Sequence, residues 1–169
     1  MICFKHSGRS ATWANATRRG VLLLFLGLTG LAASAAAGAQ PAPGQPQHLQ
    51  AITLGAGIHN IRAELAMSPE QRQMGLMYRR DLASHEGMLF IFESPQPQCF
   101  WMRNTPTPLT IAFVADDGSI INLADMKPFD ESSHCSTQPV RYVLEMNQGW
   151  FARRGIKAGF KLTGAPFKP

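Results

Sequence analysis

Residues 99–114, CFWMRNTPTPLTIAFV, leave the backbone few choices, and that restriction constrains the rest of the chain. Phe100, Trp101 and Met102 supply apolar bulk, Arg103-Asn104-Thr105 supplies donors and acceptors, and Pro106 and Pro108 fix the backbone ahead of the run 109–114. The stretch reads as two strands meeting at a rigid polar corner. Short runs of the same kind fill the neighbouring sequence. Residues 49–54 and 58–66 read as strands separated by Gly55-Ala56-Gly57. In the second of them Ile61, Ala63 and Leu65 share one face, and Arg62 and Glu64 take the other.

Met88-Leu89-Phe90-Ile91-Phe92 is continuously apolar, which predicts a buried strand broken by Ser94-Pro95-Gln96-Pro97. Asp116-Asp117-Gly118 marks a hairpin between the run 109–115 and the run 119–126. Residues 140–147 alternate, with Val140, Tyr142, Leu144 and Met146 on one face and Arg141, Val143, Glu145 and Asn147 on the other. Residues 159–163 can close the sheet as a final strand. One helix interrupts the series, over residues 69–77. Ser68 is its N-cap, Pro69 suits the first helical position, Glu70 favours the positive end of the dipole, and Gln71 completes a capping box. In it Arg72 and Gln73 face water, and Gly75, unfavourable inside a helix, marks a close approach to another backbone. Many short strands with turn signals about every ten residues and one short α-helix predict a mainly β fold, an antiparallel sandwich or partly closed barrel.

The N-terminal third has a different character. Residues 1–19 carry Lys5, Arg9, Arg18 and Arg19 with no acid, residues 21–37 are uncharged and rich in Leu, Phe, Ala and Gly, and Ala37-Gly38-Ala39 is a small-x-small site. Residues 1–39 therefore read as a signal peptide cleaved near Ala39, which predicts an exported protein, periplasmic or secreted, without stable membrane insertion afterwards. Arg18-Arg19 before the apolar run also resembles a twin-arginine signal, with Val21 where an aromatic is usual. Residues 40–50, with three prolines, read as a disordered linker, and 51–165 as a single domain.

The leader also accounts for most of the charge. The chain has 16 Lys and Arg against 11 Asp and Glu, and four of the basic residues lie in residues 1–39; what remains is nearly neutral. No basic cluster that would track phosphates is left, so a nucleic-acid partner is not expected. Cys3 goes with the leader. Cys99 and Cys135 then make a candidate disulfide, as expected of an exported protein, against the alternative of two separate buried thiols. A catalytic role for Cys135 beside His134 is disfavoured because neighbours on a strand point apart. The methionines fall at core positions without a Met-x-Met or paired-His cluster, so they read as core filling rather than metal ligands, and no cofactor is expected.

Three segments carry a family resemblance. Arg72-x-x-Gly75-Leu76-Met77-Tyr78-Arg79 followed by Gly87-Met88-Leu89-Phe90, then Phe100-Trp101-Met102-Arg103-Asn104-Thr105 with Pro108-Leu109, then Arg141-Tyr142-Val143-Leu144-Glu145 resemble the domain of unknown function 192 family over residues 58–162. The resemblance implies a jelly-roll-like fold and supplies no activity. Thr110 and Phe160 stand where that family commonly has Asp, which weakens a carboxylate-dependent mechanism.

The polar positions left as candidate ligand contacts are Arg103, Asn104, Thr105, Glu145 and Arg141, with Trp101 beside them. Arg103-Asn104-Thr105 presents either a fork of donors to a carboxylate, phosphate or sugar, or the hydrogen bonds of a tight corner. Glu145 reads as a structural ion pair, a ligand contact or, less readily, a general acid or base, since no partner that would set its pKa is identifiable. These features point to an exported, non-enzymatic binding or interaction module of the cell envelope, its partner a small polar ligand or an envelope protein. The alternative is a small hydrolase or carbohydrate-modifying enzyme using Glu145 with Arg103 and Asn104.

Overall fold

A computed structural model describes residues 43–168. The signal-peptide reading of residues 1–39 and the start of the linker lie outside the described residues. Within them the fold is mainly β: a six-stranded sheet, a two-stranded sheet, one six-residue α-helix and one 3-10 turn at Ala152–Arg154. No helix among the described residues is long and apolar enough to cross a membrane.

Strands β1 (Ala51–Ala56) and β2 (His59–Ala66) form a hairpin around Gly57, whose φ of 63° suits a residue without Cβ. Strands β3 (Glu86–Gln96), β5 (Leu109–Val114), β6 (Ile120–Met126) and β8 (Val140–Asn147) complete the large sheet in the order β1-β2-β3-β8-β5-β6. Strands β4 (Cys99–Phe100) and β7 (His134–Cys135) form the small one, and Cys99 and Cys135, directly opposed, are joined by a disulfide.

Every pairing in the large sheet is antiparallel except β2 with β3, which is parallel. That pairing departs from the antiparallel expectation, and its cause is the connection. A parallel neighbour needs a crossover of a dozen residues or more, and residues 67–85, carrying helix α1 (Pro69–Met74), provide it. The sheet is also partly closed: residues 159–163 bridge both of its edges, Thr163 pairing with Gly55 of β1 and Lys161 with Ser119 at the start of β6.

The core lies on both sides of the sheet. One side gathers Leu54, Ile61, Leu89, Leu144 and Trp150; the other gathers Met88, Phe90, Phe100, Ile111, Phe113 and Val143 beneath α1 and the 99–108 corner. Central strands are thus buried on both faces, and alternation gives way to continuous burial. All six residues of β5 are buried, and in β8 Val143 and Glu145 are as buried as Leu144.

Helix α1 begins as its sequence implies, with Ser68 and Gln71 forming a reciprocal capping box. It ends three residues early, at Gly75. That glycine has φ 51°, and a Cβ there would lie 3.3 Å from the Phe90 ring, so the close approach is to an aromatic side chain and not to another backbone. Arg72 does not face water: it is buried, its guanidinium over the Phe92 ring at 5.0 Å and donating to the Ile91 carbonyl at 2.8 Å and the Glu93 carboxylate at 3.1 Å. Strand β3 continues past the expected break to Gln96, with a register shift after Ile91 that accommodates Pro95.

Candidate functional site

Four short segments enclose a half-open cleft of about 590 Å³. One wall is residues 44–48, a second is the loop 78–81, and the third is the polar corner at Asn104 and Pro106, with Phe129 at the lip. Among the described residues, the non-glycine positions with left-handed backbone are Tyr78, Asn104 and Phe129, with φ of 63°, 56° and 60°. All three line this cleft. For tyrosine and phenylalanine that conformation costs on the order of 1–2 kcal/mol each, and such residues persist where the surroundings over-determine them and cluster at binding sites.

The over-determination is visible as hydrogen bonds between the walls. The Tyr78 amide donates to the Asn104 carbonyl at 2.8 Å, the Phe129 amide to the Thr105 carbonyl at 3.2 Å, and the Met102 amide to the Asp130 carbonyl at 2.7 Å. The Thr107 hydroxyl donates to the Arg79 carbonyl at 2.7 Å. The 78–81 loop, the 104–106 corner and the Phe129 loop are therefore held by one another.

Beneath them lies a buried polar cluster that β2 sequence alternation would have placed in solvent. Glu64 is 4 % exposed and Arg79 is 6 % exposed, and they form an ion pair. The second Glu64 oxygen accepts from the Leu49 amide at 2.8 Å, while another Arg79 nitrogen donates to His48 Nδ1. Gln47, also buried, donates to the carbonyls of Gln71 at 2.8 Å and Gly75 at 3.0 Å. Residues 47–49 are in this way pinned to the domain. The segment read as a linker contributes a wall of the cleft.

The formal charges of this region cancel. Arg79 is matched by Glu64, and the exposed neighbours Arg80 and Asp81, which make no ion pair among the described residues, oppose each other at the mouth. No group of three or more His, Cys, Asp or Glu among the described residues is placed to hold a metal ion.

The residues singled out from sequence are scattered by comparison. Asn104 lines the cleft; Thr105 is buried behind it, its hydroxyl donating to the Arg103 carbonyl at 3.3 Å. Arg103 turns outward, 5.4 Å above the Trp101 ring and 3.6 Å from the exposed carboxylate of Glu131. Arg141 is committed elsewhere, to both oxygens of Asp116 at 3.0 and 3.2 Å and to the Glu93 carbonyl at 2.9 Å. Glu145 is 3 % exposed, and burial pushes its pKa up to about 7. It shares a cross-strand row with Glu64, Met88 and Ile111, but neither it nor Arg103 lines the cleft with Asn104. Thr110 donates to Asp125 at 2.6 Å and accepts from the Gly149 amide at 2.9 Å, an acceptor role that an Asp at this position would also fill.

Sequence reasoning did not reach His48, Tyr78 or Phe129 as site residues. Tyr78-Arg79 was visible only as part of a motif, and nothing in a linear reading brings residue 129 beside residue 48.

Comparison with known proteins agrees with this fold. The family model for domain of unknown function 192, described as an uncharacterized ACR, matches residues 50–164. A crystal structure of a protein of unknown function from Novosphingobium aromaticivorans DSM 12444 is similar, with a TM-score of 0.66 and 36 % identity over 75 % of this chain and 100 % of that one. A second, of a protein from Sinorhizobium meliloti 1021 described as a candidate transcription regulator, is similar with a TM-score of 0.62 and 44 % identity over 63 % of this chain and 84 % of that one. No curated protein matches.

Proposed function

The chain belongs to the domain of unknown function 192 family, and on that footing we propose that it is a small-molecule binding module that works outside the cytoplasm, with the 44–48, 78–81, 104–106 and Phe129 cleft as its site. The observation that carries this reading is the convergence of Tyr78, Asn104 and Phe129, each in left-handed backbone, on one cleft. Strained positions held by interlocking hydrogen bonds make a preformed pocket, and a preformed pocket reduces the ordering cost of binding. Action outside the cytoplasm rests on residues 1–39, and the disulfide is consistent with an oxidising compartment. The near-neutral charge of residues 40–169 favours a small ligand over the DNA that a transcription regulator would bind.

Two-dimensional amide spectra of the full chain test the reading. A panel of sugars, amino acids, organic acids and inorganic phosphate is titrated, and at least one member shifts the amides of Tyr78, Asn104 and Phe129 saturably. Shifts confined to residues outside the four segments overturn it, as does a cleft silent to the whole panel.

A further inference from the structure

We propose that the ligand of this cleft is a carbohydrate, a di- or oligosaccharide seated against Phe129; the proposal rests on the binding reading above and narrows it to one chemical class. Charge is the first reason. The guanidinium of Arg79 is matched by the buried Glu64 carboxylate and is occupied by His48 as well, so it offers no net positive field to an anion. Arg80 and Asp81 stand side by side at the mouth with opposite signs. A site for phosphate or a carboxylate needs an excess of donors, and this one balances donors with acceptors.

The second reason is the kind of polar group on offer. The His48 imidazole lines the cleft, Asn104 offers both a carbonyl and an amide whose contact among the described residues is a weak 3.7 Å approach to the Met77 sulfur, and Asp81 offers two acceptor oxygens. A sugar hydroxyl donates one hydrogen bond and accepts others, so vicinal hydroxyls match such a mixed set.

The third reason is shape. Phe129 is 63 % exposed, an unfavourable position for a large aromatic ring, and its left-handed backbone is held by the Thr105 carbonyl. Tyr78, Pro46 and Pro106 give the cleft further flat apolar faces. Pyranose rings carry an apolar face of C–H groups that packs on such surfaces while their rims hydrogen-bond. The half-open form lets a chain of more than one sugar leave the site.

The full chain is titrated with cellobiose, maltose and N,N′-diacetylchitobiose, and separately with glycylglycine, succinate and inorganic phosphate, with amide spectra and calorimetry as readouts. At least one disaccharide shifts Tyr78, Asn104 and Phe129 saturably, and the second set does not. Phe129→Asn, which tolerates left-handed backbone but lacks the ring, weakens the saccharide roughly threefold to tenfold with a melting temperature no lower than that of the native chain, and Phe129→Tyr restores the affinity. Cleft shifts produced only by glycylglycine, succinate or phosphate overturn the carbohydrate assignment and leave the binding reading standing. Silence towards both sets overturns both. Saccharide affinity unaffected by Phe129→Asn overturns the seat against that ring.

Discussion

Asn104 holds a backbone conformation that Asn and Gly tolerate and most residues do not, so replacing it tests two things at once. Asn104→Ala costs about 1 kcal/mol of folding stability through strain alone, whereas Asn104→Gly avoids the strain and removes only the carboxamide. Urea denaturation therefore separates the two variants, while both lose the ligand-induced rise in melting temperature. Glu64 and Arg79 make a harsher pair. Glu64→Gln leaves a buried guanidinium without its counter-charge, and the expected loss is on the order of 3–5 kcal/mol, read by chemical denaturation. Glu145 gives a pH signature. Its folded pKa of about 7 exceeds the unfolded value near 4.5, so the native state holds the proton more tightly. The contribution of Glu145 to stability is then greatest below about pH 4.5, declines as pH rises towards 7, and remains lower by about 3 kcal/mol above that. Glu145→Gln removes this slope; an unchanged pH profile in that variant assigns the slope to another group. Of these residues Asn104 was legible as a corner residue, because a short polar side chain before two prolines has few other uses. Glu64 was not. Period-2 alternation assigns a charged residue to the wet face, and only the crossover that brings Arg79 over β2 makes that face dry.

Helix α1 and the 99–108 corner show how far local chemistry reaches. The capping box and the proline at the helix start lie within four consecutive residues, and the observed helix begins where they put it; the stop at Gly75 was not legible, because the apolar pattern of Met74, Leu76 and Met77 runs through it. The hairpins of β1 with β2 and β5 with β6 were legible for the same reason, since their turns carry Gly57 and Asp117-Gly118. The parallel pairing of β2 with β3 was not, because its register is set by partners 24 residues apart, such as Arg62 and Glu86. The small β4–β7 sheet is likewise non-local: two residues from each strand, held by the disulfide across 36 positions. So short a ladder contributes little by itself. Replacing Cys99 and Cys135 with serine lowers stability by roughly 3–4 kcal/mol on the chain-entropy model. Faster amide exchange at Phe129 and Asp130, on the loop that enters β7, accompanies it. Exchange unchanged on that loop shows that the Thr105 and Met102 hydrogen bonds hold it without the disulfide.

At the scale of the whole molecule, one segment reaches both edges of the large sheet and bridges each of them at one end. Residues 159–163 pair with Gly55 on one side and with Ser119 and Ile120 on the other. Without them, β1 and β6 present open backbone donors and acceptors, the usual template for chain-to-chain pairing. A chain ending at residue 158 therefore forms concentration-dependent oligomers in size-exclusion chromatography, where the full chain elutes as a smaller species. The mainly β class was legible from run lengths and turns; the arrangement of the cleft was not, because its four segments span residues 44 to 129. That dispersal makes the site a sensor of the native state. No excised peptide contains it, so the ligand proposed above would recognise the chain only after the crossover, the corner and the disulfide-linked loop have all arrived, and by mass action each bound molecule would stabilise the entire domain rather than one loop. If the cleft binds as proposed, its ligand acts as a chaperone: molecules that fold in its presence stay folded longer, and misassembled ones are left unprotected for proteolysis.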